Sequence, residues 1–293
     1  MNSTLENELR ARVEDLRHTS TLPVIIKRLM EVMEDENSSV SDLKMVLEHD
    51  QSIVMRILSM ANNIYYSFYR KVDSINTAIL LLGFDMVKGI ALSVGVFNSM
   101  DVHMKELWTH SYKTALAARS LAENTGLVAI ESAFLGGLIH DIGKVILFHL
   151  YGDRYLKELA KDREGLLEAE ERIFGATHAT VGAWFASKNR FPEKLVCAIE
   201  THHDFVFIRE NYAKDSFFSN LPLVIYIVNQ CILNGKDLQD GEAVCLTKCR
   251  ELLEDLPDVG QGICPVLAEI CQKIRANDND IEGFLHEHHN PDL

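Results

Sequence analysis

His140 and Asp141 are adjacent inside an apolar run, Leu138-Ile139-His140-Asp141-Ile142-Gly143-Lys144. Neither group can be buried without a partner, so the pair is either a hydrogen-bonded packing unit or part of a site. Gly136 and Gly137, just before it, let other backbone or a ligand approach closely. Lys144 falls one helical turn after His140 on the same face, where a cation could neutralise a phosphate. Four more histidines, His110, His178, His202 and His203, recur on expected helices whose inward residues are otherwise apolar. A single histidine of this kind is ordinarily a satisfied core residue. Five of them with Asp141 on successive helices point to one shared interior. Imidazole and carboxylate together suit a first-row transition metal such as iron, manganese or zinc.

The elements that must position these groups read as helices. Leu9, Val13 and Leu16 keep helical spacing over Asn7 to His18, and Ile25, Ile26, Leu29, Val32 and Met33 form a stripe after Pro23. Ser41 is placed to cap a short helix ending near Asp50, and Ser74 to cap one that ends at Gly83. Asn62-Asn63 is a stop signal, and Phe84 to Asn98 is apolar enough for a central helix. A long helix is expected over about Lys105 to Asn124, ended by Asn124-Thr125-Gly126. The segment leading into His140-Asp141 is expected to continue as helix through Val145 to Leu150. Further helices are expected over Glu164 to Phe174, from a Thr177 cap, and from Pro192 to His202-His203. Phe205 to Asn220 reads as a loop before an apolar helix from Pro222, with last helices near Gly241 to Leu253 and Val266 to Arg275. No stretch alternates as a strand would. A composition shift near Met100 to Met104 suggests a boundary between residues 1–102 and residues 103–293.

Composition narrows the function classes. Six Pro and sixteen Gly leave few breakers, and 47% hydrophobic with 25% charged residues is ordinary for a globular chain. Lys and Arg number 29 against 43 Asp and Glu, a net charge of −14, and no local basic patch offsets it. Such a surface repels nucleic-acid backbones and anionic lipid, so neither is an expected partner. No N-terminal signal is visible, and the apolar stretch Leu221 to Leu233 is too short to span a bilayer. Cys197, Cys231, Cys245, Cys249, Cys264 and Cys271 lack zinc-finger spacing. Cys245 and Cys249, one turn apart, read as two buried thiols rather than a metal pair, and the chain reads as cytoplasmic with reduced cysteines. The tail His286-Glu287-His288-His289 reads as a solvated terminus.

The order His110, His140-Asp141-Ile142-Gly143-Lys144, His178, His202-His203 resembles the signature of HD-domain metal-dependent phosphohydrolases. Leu22-Pro23, His49-Asp50, Ala61-Asn62-Asn63-Ile64-Tyr65 and Ala78-Ile79-Leu80-Leu81-Leu82-Gly83 resemble the N-terminal part of the HDOD family. Glu171, Gly175-Ala176-Thr177-His178, Gly182 and Phe191-Pro192 are similar to that family's later segment. Together the resemblance covers roughly residues 15 to 235. It implies an all-α protein, with an N-terminal helical HDOD subdomain over 1–102 and an HD-like helical domain over 103–293.

The resemblance also implies site roles. One metal would take His110, His140 and Asp141, and a second would share Asp141 and add His178, His202 and His203. Two such ions could clamp a phosphate and activate a water. Asp141 and Lys144 would then be the catalytic residues, with Lys144 neutralising charge on the phosphoryl oxygens. The family's late aspartate ligand falls at Asn229, an amide that coordinates through oxygen without the charge. Asp204-Phe205-Val206-Phe207 follows His203 in place of the Gly-Tyr-Pro pattern of cyclic di-GMP phosphodiesterases, so that activity is not carried over. The leading expectation is a bacterial signal-transduction protein that keeps a metal-binding HD site and takes a protein partner or a small phosphorylated ligand. A phosphohydrolase acting on a nucleotide or cyclic dinucleotide, and a purely structural interaction module, are the alternatives.

Overall fold

The computed structural model describes residues 3–18, 23–47, 50–64, 72–98, 105–161, 165–211, 216–234, 257–277 and 281. Every regular element among them is helical, as the resemblance implies. In chain order they are α1 (Ser3–Glu14), a 3-10 turn (Leu16–His18), α2 (Val24–Glu34), α3 (Val40–Leu47), α4 (Gln51–Ile64), α5 (Ile75–Leu82) and α6 (Phe84–Asn98). Then come α7 (Lys105–Thr125), α8 (Ile130–Ile139), α9 (Ile142–Tyr151), α10 (Asp153–Lys161) and α11 (Leu166–Phe174). The last are α12 (His178–Lys188), α13 (Glu193–Thr201), α14 (Phe205–Asn211), α15 (Ser216–Asn234) and α16 (Pro257–Ala276).

The chain divides into two compact units, each assembled from separate segments. The first holds Met1–Met104 with His140–Glu200, and the second Lys105–Ile139 with Thr201–Leu293. The Met100 to Met104 break, residues Leu22, His49 and Tyr65, Cys245 and Cys249, the Gly241 to Leu253 helix and the histidine-rich tail lie outside the described residues.

Local signals explain several helix ends. Ser74 Oγ accepts from Thr77 N–H at 3.1 Å, and α5 stops at Gly83, whose φ is +86°. Thr177 Oγ1 accepts from Thr180 N–H at 3.2 Å at the start of α12. The cap of α3 is Ser39, not Ser41. Asp42 N–H donates to Ser39 Oγ while Ser39 N–H donates to the Asp42 carboxylate at 2.8 Å, a reciprocal box that Ser41 has no acidic partner to make. Past α4, Asn62 holds the returning chain: its amide donates to the Leu58 and Val72 carbonyls and accepts from Val72 N–H.

Three further expectations are corrected. The helix through His140 is broken: α8 ends at Ile139, and Asp141 sits at φ −98°, ψ 13° before α9 begins. Asp141's buried carboxylate takes its partners from His140 in this turn, Lys144 of α9 and His178 of α12. The same break divides Ile130–Tyr151, the one stretch among the described residues long and apolar enough to cross a membrane, and its most apolar window is 78% buried. Second, the described parts of the expected loop Phe205 to Asn220, residues 205–211 and 216–220, are helical. Asp204 caps α14, accepting from Phe207 N–H at 2.9 Å, and Ile208 is buried. Third, α15 starts at Ser216, six residues before Pro222. Leu221 and Ile225, on either side of Pro222, pack over Gly136, while the proline forgoes one backbone bond of the helix.

In the second unit α8 lies so close to α7 that a Cβ at Gly137 would stand 2.6 Å from Ala115 Cα. The two glycines before the His-Asp pair therefore admit backbone and neighbouring side chains. A Gly137→Ala replacement is expected to lower unfolding free energy by about 3 kcal/mol, because backbone rather than a flexible side chain must move. Urea unfolding of the purified chain measures it; a loss below about 1 kcal/mol would show that α7 and α8 can part.

Candidate functional site

Within the first unit, α9 and α12 cross at two glycines. A Cβ at Gly143 would overlap the His178 carbonyl oxygen, and one at Gly182 would lie 3.2 Å from Gly143 N. This contact sets the first turn of α9 against the first turn of α12 and brings Asp141 to His178. His178 Nε2 lies 3.3 Å from Asp141 Oδ1, and His140 Nε2 lies 3.4 Å from Asp141 Oδ2. Lys144 Nζ donates to Asp141 Oδ2 at 2.7 Å from one turn along. His140, Asp141 and His178 are buried, and Lys144 is nearly so. The structure thus gathers four of the sequence-predicted residues in one place.

Two further residues complete this cluster. Glu170 on α11 is fully buried and accepts three hydrogen bonds. Its Oε2 takes His178 N–H and His178 Nδ1–H, both at 2.7 Å, and its Oε1 takes the Tyr155 hydroxyl at 2.6 Å. Neither was singled out from the sequence, which drew attention to the neighbouring Glu171 instead; Glu171 is exposed. The missed signal was periodicity: Leu166, Glu170 and Phe174 form an i, i+4, i+8 stripe, so Glu170 occupies an inward position among apolar residues. Gly175 ends α11 in the left-handed region at φ +96°, turning the chain into the Thr177 cap and His178.

Charge in this interior is balanced against burial. Desolvation alone would raise the Asp141 pKa, but Lys144, His140 and His178 outweigh it and hold the carboxyl well below its usual range. Glu170 is likewise pushed up by burial but ends below its usual value because His178 and Tyr155 donate to it. Burial and the nearby Lys144 charge would lower the His178 pKa, yet Glu170 and Asp141 leave it raised. Burial, reinforced by Glu170, keeps Tyr155 a neutral donor. Two ionised carboxylates therefore share two buried histidines and one lysine that keeps a small exposure to solvent.

The remaining predicted residues belong to the second unit. His110 lies on α7 and is half-buried; His202 is buried and His203 half-buried, in the turn directly after α13. The His202 and His203 rings stack with centroids 4.0 Å apart. Of the five histidines only His110 sits in a helix interior; the other four occupy helix starts and the turns between helices, where backbone direction changes and side chains can converge. Asn229 on α15 is buried, and its Oδ1 has no hydrogen-bond partner among the described residues. An unsatisfied buried amide oxygen is costly.

An all-α chain with a buried His-Asp-His cluster beside a lysine agrees with what the HD-domain resemblance implies. The HDOD domain model matches residues 20–205, and the chain belongs to the HDOD family. An uncharacterized protein of Treponema pallidum (strain Nichols) is 26% identical over 219 residues, which is 71% of this chain; the chain spans 42% of that relative. Among solved structures, a protein of Shewanella amazonensis SB2B provisionally described as a phosphohydrolase is 20% identical with TM-score 0.64, covering 94% of this chain and 97% of that one. One from Marinobacter aquaeolei VT8, provisionally described as a signal transduction protein, is 18% identical with TM-score 0.61, covering 98% of this chain and 66% of that one. At these identities the structural matches establish the fold.

Removing Lys144's charge leaves Asp141 without its closest cation. Lys144→Met is expected to destabilise the metal-free protein by about 3 kcal/mol, and Asp141→Asn with Lys144→Met by clearly less than the sum of the single changes. A double-mutant cycle in chemical denaturation checks this; strict additivity would mean the two groups do not interact.

Proposed function

We propose that this chain is a bacterial, cytoplasmic signal-transduction protein whose HD-type site binds one or two divalent transition-metal ions, iron, manganese or zinc. Its partner is a signalling protein or a small phosphorylated ligand. The observation carrying the metal reading is the pairing of His178 Nε2 with Asp141 Oδ1 at 3.3 Å while His178 Nδ1 is committed to Glu170. In neutral imidazole, Nε2 then presents a lone pair to a carboxylate oxygen. Two acceptors facing one another call for a cation or a proton between them. The donor set of imidazole nitrogens and one carboxylate oxygen suits a borderline metal. By the family pattern, His140, Asp141 and His178 hold the ions together with His110, His202, His203 and Asn229, whose buried Oδ1 is available to coordinate.

A bound divalent metal supplies Lewis-acid polarisation of a phosphoryl oxygen. The chain's own residues supply the rest. Asp141 stays ionised and offers two oxygens as acceptors; Lys144 holds one of them and adds positive charge at the mouth of the cluster. Burial excludes bulk water and strengthens each of these interactions.

Phosphohydrolase activity is the second reading, favoured by Lys144 Nζ lying 2.7 Å from Asp141 Oδ2, where it can neutralise a phosphate. Asn229 in place of a carboxylate favours the regulatory reading, since one less negative charge weakens metal binding.

Elemental analysis of untagged protein tests the first reading. About one to two ions per chain are expected, falling below about 0.1 in Asp141→Ala; wild type at that lower level overturns it. A phosphoester panel with added manganese or iron separates the two readings. Turnover above the His140→Ala control establishes hydrolysis, and its absence leaves the regulatory role.

A further inference from the structure

We infer that Glu170 and Tyr155 are positioning residues of the metal site, locking His178 in the Nδ1–H form with Nε2 turned to Asp141. This rests on the metal-binding reading above and extends it to two residues that contact no proposed ligand atom directly.

Both oxygens of Glu170 are committed. Oε2 accepts the backbone N–H and the ring Nδ1–H of the same residue, His178, each at 2.7 Å, so one atom fixes both the start of α12 and the ring's rotation. Oε1 accepts the Tyr155 hydroxyl at 2.6 Å, so the carboxylate cannot turn away. An ionised carboxylate only accepts, so the proton of a neutral His178 must sit on Nδ1 and the lone pair on Nε2. That lone pair faces Asp141 Oδ1 at 3.3 Å. A carboxylate behind a metal-facing imidazole fixes its tautomer and raises its basicity. Here the carboxylate is itself held by a tyrosine on α10, so the chain α10–α11–α12 sets one nitrogen's direction. A packing role for Glu170 would need only bulk and a hydrogen bond. It would not require that the same oxygen hold both the backbone and the ring of one histidine.

The test uses the full-length chain and two readouts. In metal-free protein labelled with 15N-histidine, two-bond correlation spectra are expected to show His178 protonated at Nδ1, and a neutral Nε2–H tautomer would overturn the inference. Zn2+ titration against a competing chelator then measures affinity. Glu170→Gln, whose amide can accept or donate and so permits either tautomer, is expected to weaken Zn2+ binding by about 10–100-fold. Tyr155→Phe, which loosens Glu170 without removing it, is expected to weaken it by less. Equal affinity in wild type and both variants overturns the positioning role while leaving metal binding intact. A wild type that takes up no Zn2+ overturns the metal-binding reading itself. Should Glu170→Gln fail to fold, Tyr155→Phe and the wild-type spectrum decide the matter.

Discussion

Keeping Asp141 ionised with no access to solvent is the constraint on which the first unit's interior depends. Desolvation by itself favours the neutral acid, and only nearby cations and donors reverse that preference. Lys144 provides the charge, His140 and His178 approach the two oxygens, and each has to arrive from a different direction. The helical path breaks at His140-Asp141 for this reason. The turn between α8 and α9 frees the carboxylate to face α12, and Lys144 reaches back over one turn to meet it.

Close packing then turns a charge requirement into a geometry. Gly143 and Gly182 allow α9 and α12 to touch backbone to backbone, and any larger residue at Gly143 would push the His178 carbonyl away. Asp141 and His178 are two and four residues from those glycines, so their separation follows from the helix contact. Glu170 and Tyr155 stand behind His178 and consume its other ring nitrogen. A buried polar network of this sort is stable only when its members are satisfied, and here α9, α10, α11 and α12 each contribute a group to it.

Membership of the HDOD family accounts for the fold, and structures about 20% identical trace the same path with TM-scores above 0.6. So few shared residues are enough because a helical bundle is specified mainly by apolar periodicity and caps, which many sequences can supply. Function is carried by the site, not by the fold. This chain carries His110, His140, His178, His202 and His203 with Asp141, and an amide at Asn229.

Much of this was legible in one dimension. Period-3.6 stripes, Ser74 and Thr177 as caps and Gly83 as a stop all depend on neighbours within one turn, so the chain alone determined its helical class and several helix ends. The recurring histidines, Asp141 and Lys144 were equally visible, because ionisable residues in apolar runs stand out locally. The break at His140, the helix at Phe205–Asn211 and the inclusion of Pro222 in α15 were not, since there packing overrides propensity. Glu170 and Tyr155 stayed hidden for the same reason: a single carboxylate on an amphipathic helix looks solvated until the fold shows which face is buried. The sequence by itself determined which side chains could do chemistry. Only the tertiary structure decided which of them meet, because their distances are set by helix crossings between residues far apart in the chain.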